Sequence, residues 1–202
     1  MGLKLLLLGW WTPKYIIKRE LQNINNKTTS ALETLITNNN KISIMEDKQQ
    51  FSSIQEQRAA MAQTQTKLVQ TLVKELGEEA AVKQGREILF SVGQQLGRET
   101  QTKLGVGDNL KDLIRAAKIL YRILGIEFQI NWLDNSNAMA TINRCALSEH
   151  YSELTCKVLS ATDEGVINGL QPNVSMRFEK YLTSGCGNCK AKIRFNSKED
   201  TQ

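Results

Sequence analysis

All four cysteines of the chain fall in its last third, at Cys145, Cys156, Cys186 and Cys189, and His150, its one histidine, lies among them. Two chemistries suit such a set. The first is a thiol nucleophile, which needs a cysteine held as thiolate by a nearby positive charge or a helix N-terminus. Cys145 is the best candidate: Arg144 precedes it, and it stands where a strand pattern hands over to a helical one. Glu149 lies one helical turn further on, and Asp163 reads equally as a helix cap or as a carboxylate that could move a proton. The second chemistry is zinc binding, by four cysteines or by three and His150. Cys186 and Cys189 form the single close C-x-x-C pair, whereas common zinc modules carry two. Cys156 and Cys189 also read as small buried hydrophobes. The turn Gln171-Pro172-Asn173 is either plain turn chemistry or a place where Asn173 offers its amide to a pocket.

The elements that must position these residues change character along the chain. Thr12-Pro13 reads as a helix start, with a helix to about Thr37 that the run Asn38 to Lys41 breaks. A boundary near residue 45 divides an N-terminal arm, 1–44, from a main domain, 45–202, and Met45 is a second potential start. Helices are expected from Gln49 to Leu76 and from about Glu78 to Lys103. Gly85, Gly93 and Gly97 each cost the second helix up to ~1 kcal/mol relative to Ala, which the close approach of another helix would offset. A third helix, capped by Gly107-Asp108, carries the apolar stripe Leu110, Leu113, Ala117, Leu120 and Leu124 and stops at Gly125.

Beyond Gly125 apolar residues alternate with polar ones. Ile126, Phe128, Ile130 and Trp132 form one strand face, and a returning strand covers Ala138 to Asn143. Two short helices, 146–159 and 163–170, precede a second hairpin of strands over Val174 to Phe178 and Cys189 to Phe195. The expected fold class is α+β: long helices first, then one antiparallel sheet from two β-hairpins with intervening helices.

A chain of 202 residues with 41% hydrophobic and 23% charged residues suits a globular protein. Its net charge is +5, but the Lys and Arg residues read as scattered, and with 6% aromatics no nucleic-acid partner is expected. Unpaired cysteines of this kind point to a cytoplasmic, reducing setting. The apolar run Leu3 to Trp11 is far short of the ~20 residues that cross a bilayer, and Leu6 stands where a myristoylation signal would carry Ser or Thr. That arm either docks on the body or a second subunit, or makes a peripheral membrane or protein contact through Trp10 and Trp11.

The run Arg144-Cys145, Glu149, Tyr151, Glu153-Leu154, then Asp163, then Gly169 to Asn173, then Leu182-Thr183, Gly185 and Cys189 resembles the L-2-amino-thiazoline-4-carboxylic acid hydrolase family. Its ending, with Glu179, Gly185 and Cys189, is also similar to the small-molecule-binding domains named after 4-vinyl reductase. The likeness covers about residues 80–197. It implies a ligand-binding α+β fold and, for the named enzyme, hydrolytic opening of a thiazoline ring. On that basis Cys145, Glu149 and Asp163 are the expected catalytic residues, and Arg144, Tyr151, Asn173 and Gly185 the expected substrate contacts. Cys186 and Cys189 remain the candidate zinc ligands. The alternative is a non-catalytic small-molecule or metal sensor that forms a homo-oligomer through its helices. The chain departs from the pattern at Ser160-Ala161-Thr162 and at Leu182, where the relatives carry cysteine, and at Leu170-Gln171-Pro172-Asn173. Such a chain would keep the fold without the reaction if a missing thiol does the chemistry.

Overall fold

Short polar side chains set where the helices begin. In the computed structural model, which describes residues 3–39 and 51–196, Ser53 accepts from the Glu56 amide and opens a helix over Ile54–Leu76. Asn109 does the same through Asp112 for Leu110–Leu124, and Ser152 through Thr155 for Glu153–Leu170. Glycines in the left-handed region close two of the helices, at Gly105 and Gly125. In chain order the elements are α1 (Leu3–Trp10), α2 (Lys14–Asn39), α3 (Ile54–Leu76), α4 (Glu78–Leu104), α5 (Leu110–Leu124), β1 (Ile126–Trp132), β2 (Asn137–Cys145), α6 (Glu153–Leu170), β3 (Val174–Lys180) and β4 (Cys189–Phe195). The expected break at Asn38 to Lys41 finds α2 continuing through Asn39. The Met45 boundary and the helix onset at Gln49 lie outside the described residues.

The two hairpins join into one antiparallel sheet in the order β1-β2-β4-β3, so the fold is α+β as expected. Ala138, Ala140, Ile142, Ala191 and Ile193 face inward against α5 and α6. The outer face carries Lys190, Lys192 and Arg194 on β4 and Arg177 on β3. Arg177 stands directly opposite Lys192, and Lys180 opposite Lys190. Cations that look scattered along the sequence are therefore gathered by strand register, and like charges so placed weaken the pairing.

The closest packing in the molecule joins α4 to α6. A Cβ built on Gly93 would lie 2.1 Å from the Thr162 carbonyl oxygen, and one on Gly97 would lie 2.4 Å from that of Val166. From the other side, Gly165 and Gly169 place their would-be Cβ atoms 2.1 and 2.2 Å from the carbonyls of Phe90 and Gln94. Backbone thus meets backbone, which accounts for glycines in two helix interiors. Gly85 meets a side chain instead, Val158 Cγ1 at 2.8 Å. Arg86 ties the same seam, donating to the Lys157 carbonyl at 2.6 Å, Ser160 Oγ at 3.0 Å and Glu164 Oε2 at 2.6 Å. Glu164 Oε1 then accepts from the Phe178 amide at 3.1 Å, which links the helix pair to β3.

Two expectations are corrected. The short helices 146–159 and 163–170 are a turn over 146–150 followed by one continuous helix, α6. Ser160 is accommodated in the helix interior because its hydroxyl is satisfied, donating to the Lys157 carbonyl and accepting from Arg86, while the packing on α4 holds this stretch of α6 helical. Thr12 does not cap α2. Its hydroxyl donates to the Leu8 carbonyl and so closes α1. Leu21, Leu32 and Ile36 of α2 are fully buried, in clusters shared with α3, α4, α5, α6 and the sheet.

The seam predicts that Gly93→Ala or Gly165→Ala, although each gains helix propensity, will lower stability by about 2–3 kcal/mol through overpacking. Urea unfolding measures this. Unchanged midpoints would show that the helices can part at no cost.

Candidate functional site

Helical spacing puts Gly165 and Gly169 of α6, which meet the α4 backbone, on one face and Cys156, Leu159, Ser160 and Asp163 on another, with Ser160 at the border where Arg86 reaches it. Those four line an apolar cavity of about 90 Å³ closed by α2, α3, the end of α5 and the inner face of the sheet. Cys145 reaches it from the end of β2, Leu147 and Tyr151 from the turn and loop that follow, Phe178 from β3, Tyr181 from just beyond β3, and Cys189 from β4. A second lobe of about 50 Å³ lies between α2, α4, α5 and α6, and shares Ile24, Leu124, Thr162 and Asp163 with the first.

Asp163 sits where the lobes meet. The solvent-sized space its carboxyl touches is the cavity, and the described residues give it no hydrogen-bond or salt-bridge partner. Burial, then the neighbouring Glu164 carboxylate, pushes it up to about 7. The adjacent Thr162 Oγ1 is also buried without a partner. Unsatisfied polar groups on an otherwise apolar wall are costly and point to a ligand or water that completes them.

Other polar groups at the wall are occupied. The Tyr151 hydroxyl donates to Gln65 Oε1, Gln65 Nε2 donates to Thr28 Oγ1 at 2.8 Å, and Thr28 donates to the Ile24 carbonyl at 2.9 Å. Burial holds the Tyr151 hydroxyl well above its ordinary range. The chain of bonds braces α2 and α3 against the cavity and leaves Tyr151 in contact with it as a ring rather than as a free donor.

The expected site residues therefore separate. Cys145, Tyr151, Asp163 and Cys189 meet at the cavity. Arg144 does not: it is exposed on the sheet and pairs with Glu127 at 3.4 Å. Glu149 is exposed in the turn, Asn173 and Gly185 are exposed, and none of the three lines the cavity. Cys145 also lacks the expected helix N-terminus, because α6 begins seven residues later at its Ser152 cap. Burial pushes its thiol up to about 11 and that of Cys156 up to about 12. Both are protonated near neutrality. Cys186 is exposed while Cys189 is buried and accepts from the Leu182 amide at 3.2 Å, and all four cysteines are free thiols. Among the described residues no three His, Cys, Asp or Glu side chains gather as a zinc site would require. Spacing alone missed Ser160, Thr162 and the Tyr151–Gln65–Thr28 chain. The signal for the first two was present in α6, at positions three and one before Asp163.

A helix-backed antiparallel sheet encloses an apolar cavity with one orphan carboxyl, and the class this defines is an α+β domain with an internal cavity of small-molecule size. The family model of the L-2-amino-thiazoline-4-carboxylic acid hydrolases matches residues 55–193, and the chain belongs to that family. None of the curated proteins matches it. Among solved structures it is similar to a trafficking protein particle complex subunit 3 from Naegleria fowleri, covalently bound to palmitic acid. That likeness has a TM-score of 0.57 and 16% identity, over 69% of this chain and 95% of the other. It is also similar to the phenol-responsive sensory domain of the transcription activator PoxR with phenol, at a TM-score of 0.53 and 14% identity, over 81% and 90% of the two chains. These likenesses show the fold.

Two outcomes follow from the site's electrostatics. An unfolded Asp titrates near ~3.9, so folding favours the protonated Asp163. Stability is fullest below that value and falls as pH rises through about 7. Asp163→Asn is expected to be more stable than the parent at pH 8 by roughly 2–4 kcal/mol, and to lose that advantage near pH 4, in urea titrations. A difference that does not vary with pH would remove the burial argument. In alkylation with iodoacetamide at pH 8, exposed Cys186 should label first, and Cys145 and Cys156 about 100-fold more slowly or worse, as peptide mapping would show. Fast labelling of Cys145 would restore the thiolate.

Proposed function

We propose that the chain binds a small single-ring amidine or related N–H cation, with the orphan carboxyl of Asp163 as its anchor. The observation that carries this reading is a partnerless carboxyl on an apolar wall, to which a protonated amidine presents complementary N–H donors. The cavity lobes, about 90 and 50 Å³, are together on the scale of the ~150 Å³ that holds one benzene in a protein interior. The family to which the chain belongs is named for a ring that contains such an amidine. The lining of the larger lobe offers no cation, so a ring carboxylate finds no charge partner there.

Hydrolysis in this cavity runs through Asp163. At a pKa of about 7 it is partly ionised at neutral pH, as a general base requires. It accepts a proton from water adding to the ring C=N carbon and returns that proton to the ring atom that departs. A thiol nucleophile is disfavoured by burial of Cys145 and Cys156. The second reading, a non-catalytic ligand sensor, is favoured by those protonated thiols and by the single-ring ligand of the PoxR domain in the same fold.

Calorimetry with 2-aminothiazoline, 2-amino-thiazoline-4-carboxylate and phenol tests the anchor. Asp163→Asn is expected to weaken 2-aminothiazoline at least ~10-fold and leave phenol unchanged, as loss of a buried ion pair requires. Glu149→Gln should change neither. Equal amidine affinity in Asp163→Asn would sink the proposal. Ring-opened product by mass spectrometry decides for the enzyme, and binding without product decides for the sensor.

A further inference from the structure

Helix α1 and the residues that lead into α2 carry most of the large apolar side chains that the described residues leave in solvent, Trp132 and Leu133 at the end of β1 being the others. Trp10 is 90% exposed, Trp11 and Tyr15 are each 68%, Leu7 is 60% and Leu6 is 38%. They do not collapse onto the core because α1 is held by its other face. Leu5 is fully buried in the cluster it shares with Ile17 and Leu21, and Leu8 packs beside it. Arg122 of α5 donates to the Leu8 carbonyl at 3.3 Å, the Gly9 carbonyl at 3.0 Å and Thr12 Oγ1 at 3.3 Å. Carbonyls that a helix end leaves unsatisfied are thereby closed by a side chain of the body, and the orientation of the exposed face is fixed.

The charged side chains nearest this face in sequence are cations. Lys4, Lys14, Lys18 and Arg19 precede Glu20, the first acidic residue of the chain, and Glu20 pairs with Arg19 at 2.9 Å, which leaves Lys4 and Lys14 as the exposed cations without an acidic neighbour in sequence. Lys4, Lys14 and Arg19 are exposed. We infer that this face is a membrane-surface contact: Leu6, Leu7, Trp10, Trp11 and Tyr15 enter the headgroup region of an anionic bilayer, and the flanking cations meet its lipid phosphates. Trp and Tyr favour that depth because each joins an apolar ring to a polar atom. Basic residues beside an interfacial helix add attraction to anionic lipid. With eight residues α1 lies in the interface rather than across it, and no described helix is long and apolar enough to cross a membrane. A second copy of the chain is the poorer occupant. A two-fold contact sets the same patch against itself, and here it would bring the exposed cations Lys4 and Lys14 towards their own images.

Vesicle co-sedimentation of the full chain tests this, with phosphatidylcholine alone or mixed with phosphatidylglycerol. Binding is expected to the mixed vesicles, with a blue shift of tryptophan emission and release at high salt. Trp10→Ala/Trp11→Ala should lower partitioning at least ~10-fold while thermal stability and ligand binding stay as in the parent, since neither residue touches the cavity. That variant also supplies the emission background of Trp132. Lys4→Glu/Lys14→Glu should weaken binding to the mixed vesicles. No binding to phosphatidylglycerol vesicles, or equal partitioning by the Trp10→Ala/Trp11→Ala variant, overturns the inference. So does concentration-dependent self-association, by sedimentation velocity, that the same double variant abolishes without any effect on vesicles.

Discussion

The backbone contact between α4 and α6 is the constraint on which the rest of the molecule depends. Two helices whose glycines face the other's carbonyl oxygens cannot slide or rotate without meeting a side chain. That locks the rotation of α6 about its own axis. The same lock decides which α6 residues meet the cavity and sets Thr162 and Asp163 at the junction of its lobes. Arg86 and Glu164 carry the constraint to β3, so sheet and helix layer share one reference. A partly buried pair of this kind is weak evidence for net stability and better evidence for fixed geometry.

Placing a carboxyl where it has no partner is locally unfavourable, and the fold tolerates it because its neighbours are firmly held. The Tyr151–Gln65–Thr28 chain satisfies its own polar atoms and closes one side of the cavity. Arg58 donates to the carbonyls of Arg122 and Ile123 at the end of α5, near the wall that Leu124 and Ile126 contribute. Satisfied networks surround an unsatisfied centre, and the proposed anchor rests on that contrast.

Much of this was legible in the residues themselves. Glycines at 85, 93 and 97 announce a close helix approach, and the period-two patterns place all four strands. The parity that buries Cys189 was also readable. The turn after Cys145 was not. A helix starting at residue 146 would put Glu149 beside Cys145, but five residues of turn intervene, and the i to i+4 spacing then describes nothing. Asp163 shows the opposite failure: the polar run Ser160 to Thr162 looks like a helix break, and only the side-chain bonds of Ser160 and the facing α4 keep it helical. Arg144 lies away from the cavity for a third reason. A strand's last residues alternate faces, so a neighbour of Cys145 in sequence points away from it in space. The basic sheet face needed β3–β4 register, which no local pattern contains.

One property of Asp163 reaches beyond the cavity. A carboxyl that exchanges its proton near neutrality leaves the empty site as a mixture of neutral and charged forms. On the proposed reading, a cation entering the neutral form must expel a proton to be paired. Occupancy would then depend on two concentrations, that of the ligand and that of hydrogen ions.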